Sequence, residues 1–204
     1  MSKHPMRRAL FLDRDGVLIK DIGFPHLPEH LVFCEGAIGG LQRAQTLGFE
    51  LIIVTNQSGL ARGIFNLQQY KDFEAFVEGM LSKNGVSILK TYYCPHYTEG
   101  TVKEWVVRCQ CRKPAPGMLN TAAREFDVNL EESFLVGDRP SDIQAARNAG
   151  LRGYFLVGNH PEARLSMETS FGESLKQDYK FMGKLDNLTM VTDALARIVA
   201  KPPM

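Results

Sequence analysis

No apolar run in this 204-residue chain approaches the ~20 residues that a membrane-spanning helix needs. Arg7 and Arg8 precede apolar residues, but that run covers only Ala9 to Leu12, short of the ~7–15 apolar residues of a secretory signal. Charge of neither sign is in surplus. The formal net charge of +1 gives the chain no electrostatic reason to seek nucleic acid or a membrane surface. Cysteine is scarce: Cys34, Cys94, Cys109 and Cys111 are the only four. In a reducing compartment these are thiols or metal ligands rather than disulfides. No repeat or low-complexity tract interrupts the sequence, and no helix carries an obvious interface stripe. These absences predict a cytoplasmic monomer with neither nucleic-acid nor membrane partners. With 44% hydrophobic and 23% charged residues, the composition supports a full core and a single domain over residues 1–204.

What is present is an alternation of strand and helix patterns. Ala9 to Leu12 reads as a short buried strand. Ile38, Leu41, Ala44 and Leu47 step at helical spacing and stop at Gly48. Phe49 to Val54 is a near-continuous apolar strand of the kind buried on both faces. A helical stripe then runs from Leu67 to Leu81, a strand from Val86 to Tyr93 and a helix from Met118 to Phe126. After it come a strand at Ser133 to Val136, a helix from Ile143 to Ala149, a strand at Tyr154 to Val157 and a closing helix over 189–199. Such repetition predicts an α/β fold with a mostly parallel sheet covered on both faces. Residues 16–35 read as a loop or small hairpin inserted after the first strand. Residues 94–116 form a second irregular stretch. The polar, weakly patterned segment 160–180 reads as a surface insertion.

Ligands of such sheets bind beyond the carboxyl ends of the strands, so the residues following each strand matter most. Asp13-Arg14-Asp15-Gly16 follows the first, Thr55-Asn56-Gln57-Ser58-Gly59 the second, and Gly137-Asp138-Arg139-Pro140-Ser141-Asp142 the fourth. Asp13, Asp15 and Asp138, with Asp142 nearby, would repel one another on one rim unless a hard cation such as Mg²⁺ sat among them. Asp142 has an alternative use as a cap of the following helix. The hydroxyl, amides and backbone N–H groups around Thr55–Gly59 suit phosphate oxygens, and Lys113 could neutralise a phosphoryl group. Together these parts suit phosphoryl transfer, where positioning and charge neutralisation do most of the work. Asp13 can act as a nucleophile that becomes an aspartyl-phosphate, and Asp15 can move the protons.

The ordered set FLDRDG, VTNQSG, RKP and VGD resembles the four motifs of the haloacid dehalogenase (HAD) superfamily of phosphatases. The resemblance covers roughly residues 7–158. It is similar in detail to the small, capless D,D-heptose 1,7-bisphosphate 7-phosphatases and to their relatives, the histidinol-phosphate phosphatases. It implies a Rossmann-like three-layer sandwich without a large cap domain. It also implies Asp13 as nucleophile, Asp15 as general acid/base, and Thr55 and Lys113 as stabilisers of the transferring group. Mg²⁺ would be held by Asp13, the Asp15 backbone carbonyl, Asp138 and the backbone of Arg139. Asp21, Gly23, Phe24, Asn56, Gln57, Ser58 and Arg112 would bind a small phosphorylated sugar. The implied setting is heptose-precursor synthesis for lipopolysaccharide or another surface glycan.

Cys94-x-His96 and Cys109-x-Cys111, separated by residues 97–108, supply three thiolates and one imidazole. That set makes a closed, structural Zn²⁺ site. It would pin the loop that presents Arg112 and Lys113. The length of this loop and the sequence CRKPAPGM resemble the heptose enzymes more than the histidinol-phosphate enzymes. Outside enzymes, a phospho-accepting signalling domain also combines acids, a hydroxyl and a lysine. Such domains place the phosphorylated acid on a middle strand, without a second acid two residues away. Cys34 reads as a buried thiol and His26 as a surface histidine.

Overall fold

The computed structural model describes residues 6–158, 174–175 and 177–200. Its centre is a six-stranded sheet with strand order β3-β2-β1-β4-β5-β6, and every pairing is parallel. The strands are β1 (Ala9–Leu12), β2 (Glu50–Asn56), β3 (Lys90–Cys94), β4 (Phe134–Gly137), β5 (Gly153–Val157) and β6 (Phe181–Leu185). The helices are α1 (Ala37–Thr46), the single turn α2 (Gly59–Arg62), α3 (Leu67–Lys83), α4 (Gly117–Phe126), α5 (Pro140–Ala149) and α6 (Leu188–Val199).

The period of two along β1 divides the core. Leu10 and Leu12 face one layer with Leu41 of α1, Phe73 and Val77 of α3 and Val191 and Leu195 of α6. Ala9 and Phe11 face the other with Leu119 and Ala122 of α4 and Ile143 and Ala146 of α5. Each large aliphatic or aromatic side chain so buried stabilises the fold by roughly 1.5–3 kcal/mol. The result is the three-layer, Rossmann-like sandwich that the sequence predicts. None of the described helices is long and apolar enough to cross a membrane.

Two strands differ from the sequence reading. The third is Lys90–Cys94 rather than 86–93. Val86 is buried but its backbone N–H closes the end of α3 on Leu81, so apolarity there belongs to a helix exit. β6 begins immediately after the predicted insertion, in residues that carried no strand prediction. As an edge strand of intermediate burial containing Gly183, it lacks the apolar run that marks the central strands. Most of segment 160–180 lies outside the described residues. Its end is tied in by Asp178, which accepts from the Tyr154 hydroxyl and pairs with Arg147 at 3.1 Å.

After β1 the chain doubles back as a small flap. Lys20 N–H donates to Val32 O and Cys34 N–H to Leu18 O, and Ile19 pairs antiparallel with Phe33. Sheet order reverses direction between β1 and β4. The crevice at that switch point is where the flap, the β2 end and the 94–116 loop meet.

Candidate active site

Asp13 follows β1 directly, its N–H continuing the ladder to Val136 O at 3.0 Å. Its Oδ1 accepts the Arg14 N–H at 2.7 Å and its Oδ2 lies 3.0 Å from Lys113 Nζ. Lys113 Nζ also reaches Asp142 Oδ1 at 2.5 Å and donates to Val54 O at 2.7 Å. The lysine is 3% exposed and Asp142 wholly buried. Burial works against the Lys113 charge, yet the two carboxylates more than offset it and raise its pKa.

Asp138, after β4, completes a group of three carboxylates whose oxygens lie within 4.8 Å of one another. Both of its buried oxygens lack a hydrogen-bond partner among the described residues. Burial first, then the charges of Asp13 and Asp142, push its pKa up to about 9. Asp13 is pushed up to about 7 by burial, against the pull of Lys113. The one ion-pair partner of Asp138 among the described residues is Arg139, whose Nε lies 3.9 Å from Oδ1, too far for a hydrogen bond, and a buried carboxylate so weakly compensated suits a cation. The donor set, all oxygen and next to open crevice, fits a hard divalent ion. Gly16 adopts φ +84°, and a side chain there would drive into the Asp138 carboxylate, so only glycine lets the flap turn this close.

Asp15 lies two residues beyond Asp13 with its carboxylate held on both oxygens. Oδ1 accepts Arg14 Nε at 2.8 Å, and Oδ2 accepts Arg14 Nη2 at 3.1 Å and Gln57 Nε2 at 2.9 Å. Gln57 also donates to Thr55 Oγ1 at 2.9 Å. Asp13, Asp15, Thr55 and Gln57 line a cavity of about 470 Å³ together with Asp21, Gly23, Phe24, Asn56, Ser58, Arg112 and Lys113. Every residue expected at the reacting centre or around the substrate is therefore brought to one crevice.

Some of the expected substrate contacts have other attachments. The Asn56 amide is spent on the Lys113 backbone, donating to its O at 3.1 Å and accepting its N–H at 3.0 Å. Asp21 pairs with Arg139 at 2.9 Å and accepts the Gly23 N–H. Arg139, expected to lend its backbone to a metal, has both backbone groups engaged with Asp142 at the start of α5: its N–H donates to Oδ2 and its O accepts the Asp142 N–H. Asp142 is thus both a helix-start acceptor and a lysine partner, a double use that the sequence left open. His26 is half-buried and stacks on Phe65 at 5.0 Å instead of standing on the surface. Cys34 is half-buried.

The sequence did not single out Arg62, Tyr97 or Ser141, which also line the cavity. The guanidinium carbons of Arg62 and Arg112 lie 4.1 and 5.1 Å from the Tyr97 ring centre. Arg62 comes from α2, and a helix of four residues has no periodicity to find in the sequence.

Beside the crevice, Cys94 Sγ lies 3.6 Å from His96 Nδ1, 3.6 Å from Cys109 Sγ and 3.3 Å from Cys111 Sγ, and Nδ1 lies 3.3 Å from Cys111 Sγ. Tetrahedral zinc with bonds of about 2.3 Å to sulfur and about 2.0–2.1 Å to nitrogen would set such edges at about 3.6–3.8 Å. Two of the four separations match and the two at Cys111, 3.3 Å each, are a few tenths of an ångström shorter, so a small outward shift of that thiol would let the four groups hold such an ion with no position left for water. Arg112 Nη1 donates to His96 O at 3.3 Å, so the cluster and the arginine it presents are one unit.

Acids, a lysine and a hydroxyl at the switch point of this sheet are parts that suit phosphoryl transfer, and the similarity to known proteins makes the class that of the HAD hydrolases. A HAD-hydrolase-like family model matches residues 110–172. The chain is 41% identical over 160 residues to D-glycero-alpha-D-manno-heptose-1,7-bisphosphate 7-phosphatase of Photorhabdus laumondii, spanning 78% of this chain and 87% of that one. It is 41% identical over 152 residues to D-glycero-beta-D-manno-heptose-1,7-bisphosphate 7-phosphatase of Pasteurella multocida, spanning 74% and 82%. The crystal structure of D,D-heptose 1,7-bisphosphate phosphatase from B. bronchiseptica, complexed with magnesium and phosphate, superposes with a TM-score of 0.73 at 29% identity, covering 94% of this chain and 99% of that one. The chain belongs to the heptose-1,7-bisphosphate 7-phosphatase family.

Proposed function

We propose that this chain removes the 7-phosphate of D-glycero-D-manno-heptose 1,7-bisphosphate through an aspartyl-phosphate on Asp13, with Mg²⁺ in the acidic cluster and Zn²⁺ in the sulfur cluster. The observation that carries the reading is the convergence of Asp13, Asp15, Thr55 and Lys113 on one cavity.

In the first half-reaction an Asp13 oxygen bonds to phosphorus as the ester P–O bond breaks, and Asp15 gives its proton to the departing alkoxide. In the second, water attacks the phosphorus of the acyl phosphate, Asp15 takes the water's proton, and inorganic phosphate leaves Asp13 as a free carboxylate. Lys113 and the Thr55 hydroxyl hold the phosphoryl oxygens in both halves. Asp13 and Asp138, with the Asp15 carbonyl, would hold Mg²⁺, whose charge offsets the repulsion between the attacking carboxylate and the phosphate. The thiolates and His96 would hold zinc and fix the loop carrying Arg112 and Lys113.

Relatives carry names for either anomer, so both anomers belong in the test. Phosphate release is measured with Mg²⁺ from the alpha and beta bisphosphates and from histidinol phosphate, with Asp13→Asn as control. Preference for a heptose bisphosphate is the expected result. Preference for histidinol phosphate overturns the substrate and leaves the chemistry.

A further inference from the structure

Arg14 stands between the two working aspartates yet is only 1% exposed. A guanidinium in a protein interior is costly, and an apolar residue of similar volume often serves stability equally well or better. Its contacts show where the charge is spent. Nε and Nη2 form a fork on the two oxygens of Asp15 at 2.8 and 3.1 Å. Nη2 also donates to Pro25 O at 3.3 Å, in the flap that carries the cavity-lining Gly23 and Phe24. The guanidinium carbon lies 5.2 Å from the Phe73 ring centre and 5.9 Å from that of Tyr70, so α3 backs it with aromatic faces. Nη1 has no partner. A salt bridge to the next residue ties no distant parts of the chain together. What it does fix is the plane and position of one carboxylate, because a planar fork grips both oxygens at once.

We infer that Arg14 is a positioning residue for Asp15, holding the acid/base carboxylate where its proton reaches the leaving oxygen. The inference rests on the phosphatase reading above, and its test separates the two. The value of kcat/KM reports the step in which the ester bond breaks. An alkoxide leaving group needs the Asp15 proton, whereas nitrophenolate departs without one. Arg14→Met should therefore lower kcat/KM for a primary-alkyl phosphate, the heptose 1,7-bisphosphate or another that the parent hydrolyses, by on the order of 10²-fold, the cost of a roughly 1 Å misplacement. It should lower kcat/KM for p-nitrophenyl phosphate only by about 3-fold, since that ester needs positioning of Asp13 but little acid help.

Arg14→Lys keeps the buried charge with a single point of contact. It should fall between, at about 10-fold selective loss, and it decides the matter if Arg14→Met does not fold. Equal losses on both esters, in variants that melt like the parent, overturn the inference and leave the phosphatase reading standing. A parent that hydrolyses neither ester overturns the phosphatase reading and the inference with it.

Discussion

The sulfur cluster and the carboxylate cluster are neighbours with opposite construction. The first comes from one short stretch, 94–111, and each ligand atom touches another. The second is gathered from Asp13, Lys113, Asp138 and Asp142, on different elements, and is balanced on one side only. Lys113 serves Asp13 and Asp142, while Asp138 has no hydrogen bond among the described residues and only Arg139 Nε at 3.9 Å to balance it. A closed cluster can hold a loop. One kept short of compensation can bind a reactant and a cation. The two should therefore fail differently when broken, one in stability and the other in turnover.

The largest effect expected is at Asp13. Asp13→Asn keeps the shape but removes the nucleophile, and kcat should fall by on the order of 10⁴-fold or more. The melting temperature should hold or rise, because the crowding of three carboxylates is relieved while Lys113 keeps Asp142 as its partner. Retained phosphate release would remove Asp13 from the nucleophile's role. At the sulfur cluster the balance reverses. Cys109→Ser should release the metal and lower the melting temperature by about 10 °C, corresponding to a loss of roughly 3–5 kcal/mol. Turnover should drop only some tens-fold, through Arg112 and Lys113. Elemental analysis and a melting curve check this, and a parent that carries no zinc and melts like the variant contradicts it.

The same contrast decides what the sequence discloses. Cys94-x-His96 and Cys109-x-Cys111 are legible because ligand spacing within one loop is a local property. Asp13, Thr55 and Asp138 are legible because each follows an apolar run, and parallel-sheet topology turns strand ends into neighbours. Partnerships across the sheet are not legible. That the Asn56 amide would grip the backbone of Lys113, or that Asp142 would take Lys113 as well as the start of α5, depends on where the 94–116 loop folds back. Nor does composition reveal Arg14, since nothing local shows that an arginine between two acids turns into the core rather than toward solvent. β6 escaped for a related reason: an edge strand is half solvated and needs no unbroken apolar run.

Asp142 sharpens the comparison from inside the carboxylate cluster. It sits in the acidic group, yet its oxygens serve Lys113 and the Arg139 N–H. Asp142→Asn should therefore lower kcat by about 10-fold through a displaced lysine, with magnesium affinity changed much less than in Asp138→Asn. Equal losses of magnesium affinity in the two variants would make Asp142 a ligand and erase the distinction.

The last effect is a matter of protons. In the unfolded chain both Asp13 and Asp138 titrate near the ordinary aspartate value of about 3.9; in the metal-free fold burial raises them to about 7 and about 9. Between those limits the native state binds more protons than the unfolded state, so stability must fall as pH rises. The contribution is complete below about pH 4 and gone above about pH 9. A divalent cation replaces those protons, so its stabilising effect must grow over the same window. With a chelator present, the melting temperature should decline between about pH 6 and about pH 9, and millimolar Mg²⁺ should flatten the decline. Because other groups titrate too, the informative quantity is the difference between the parent and Asp138→Asn, in which the steeper part of the slope should vanish. A slope unchanged by that substitution would mean that the open carboxylate is compensated from within the protein, and the carboxylate cluster would then be as closed as the sulfur cluster beside it.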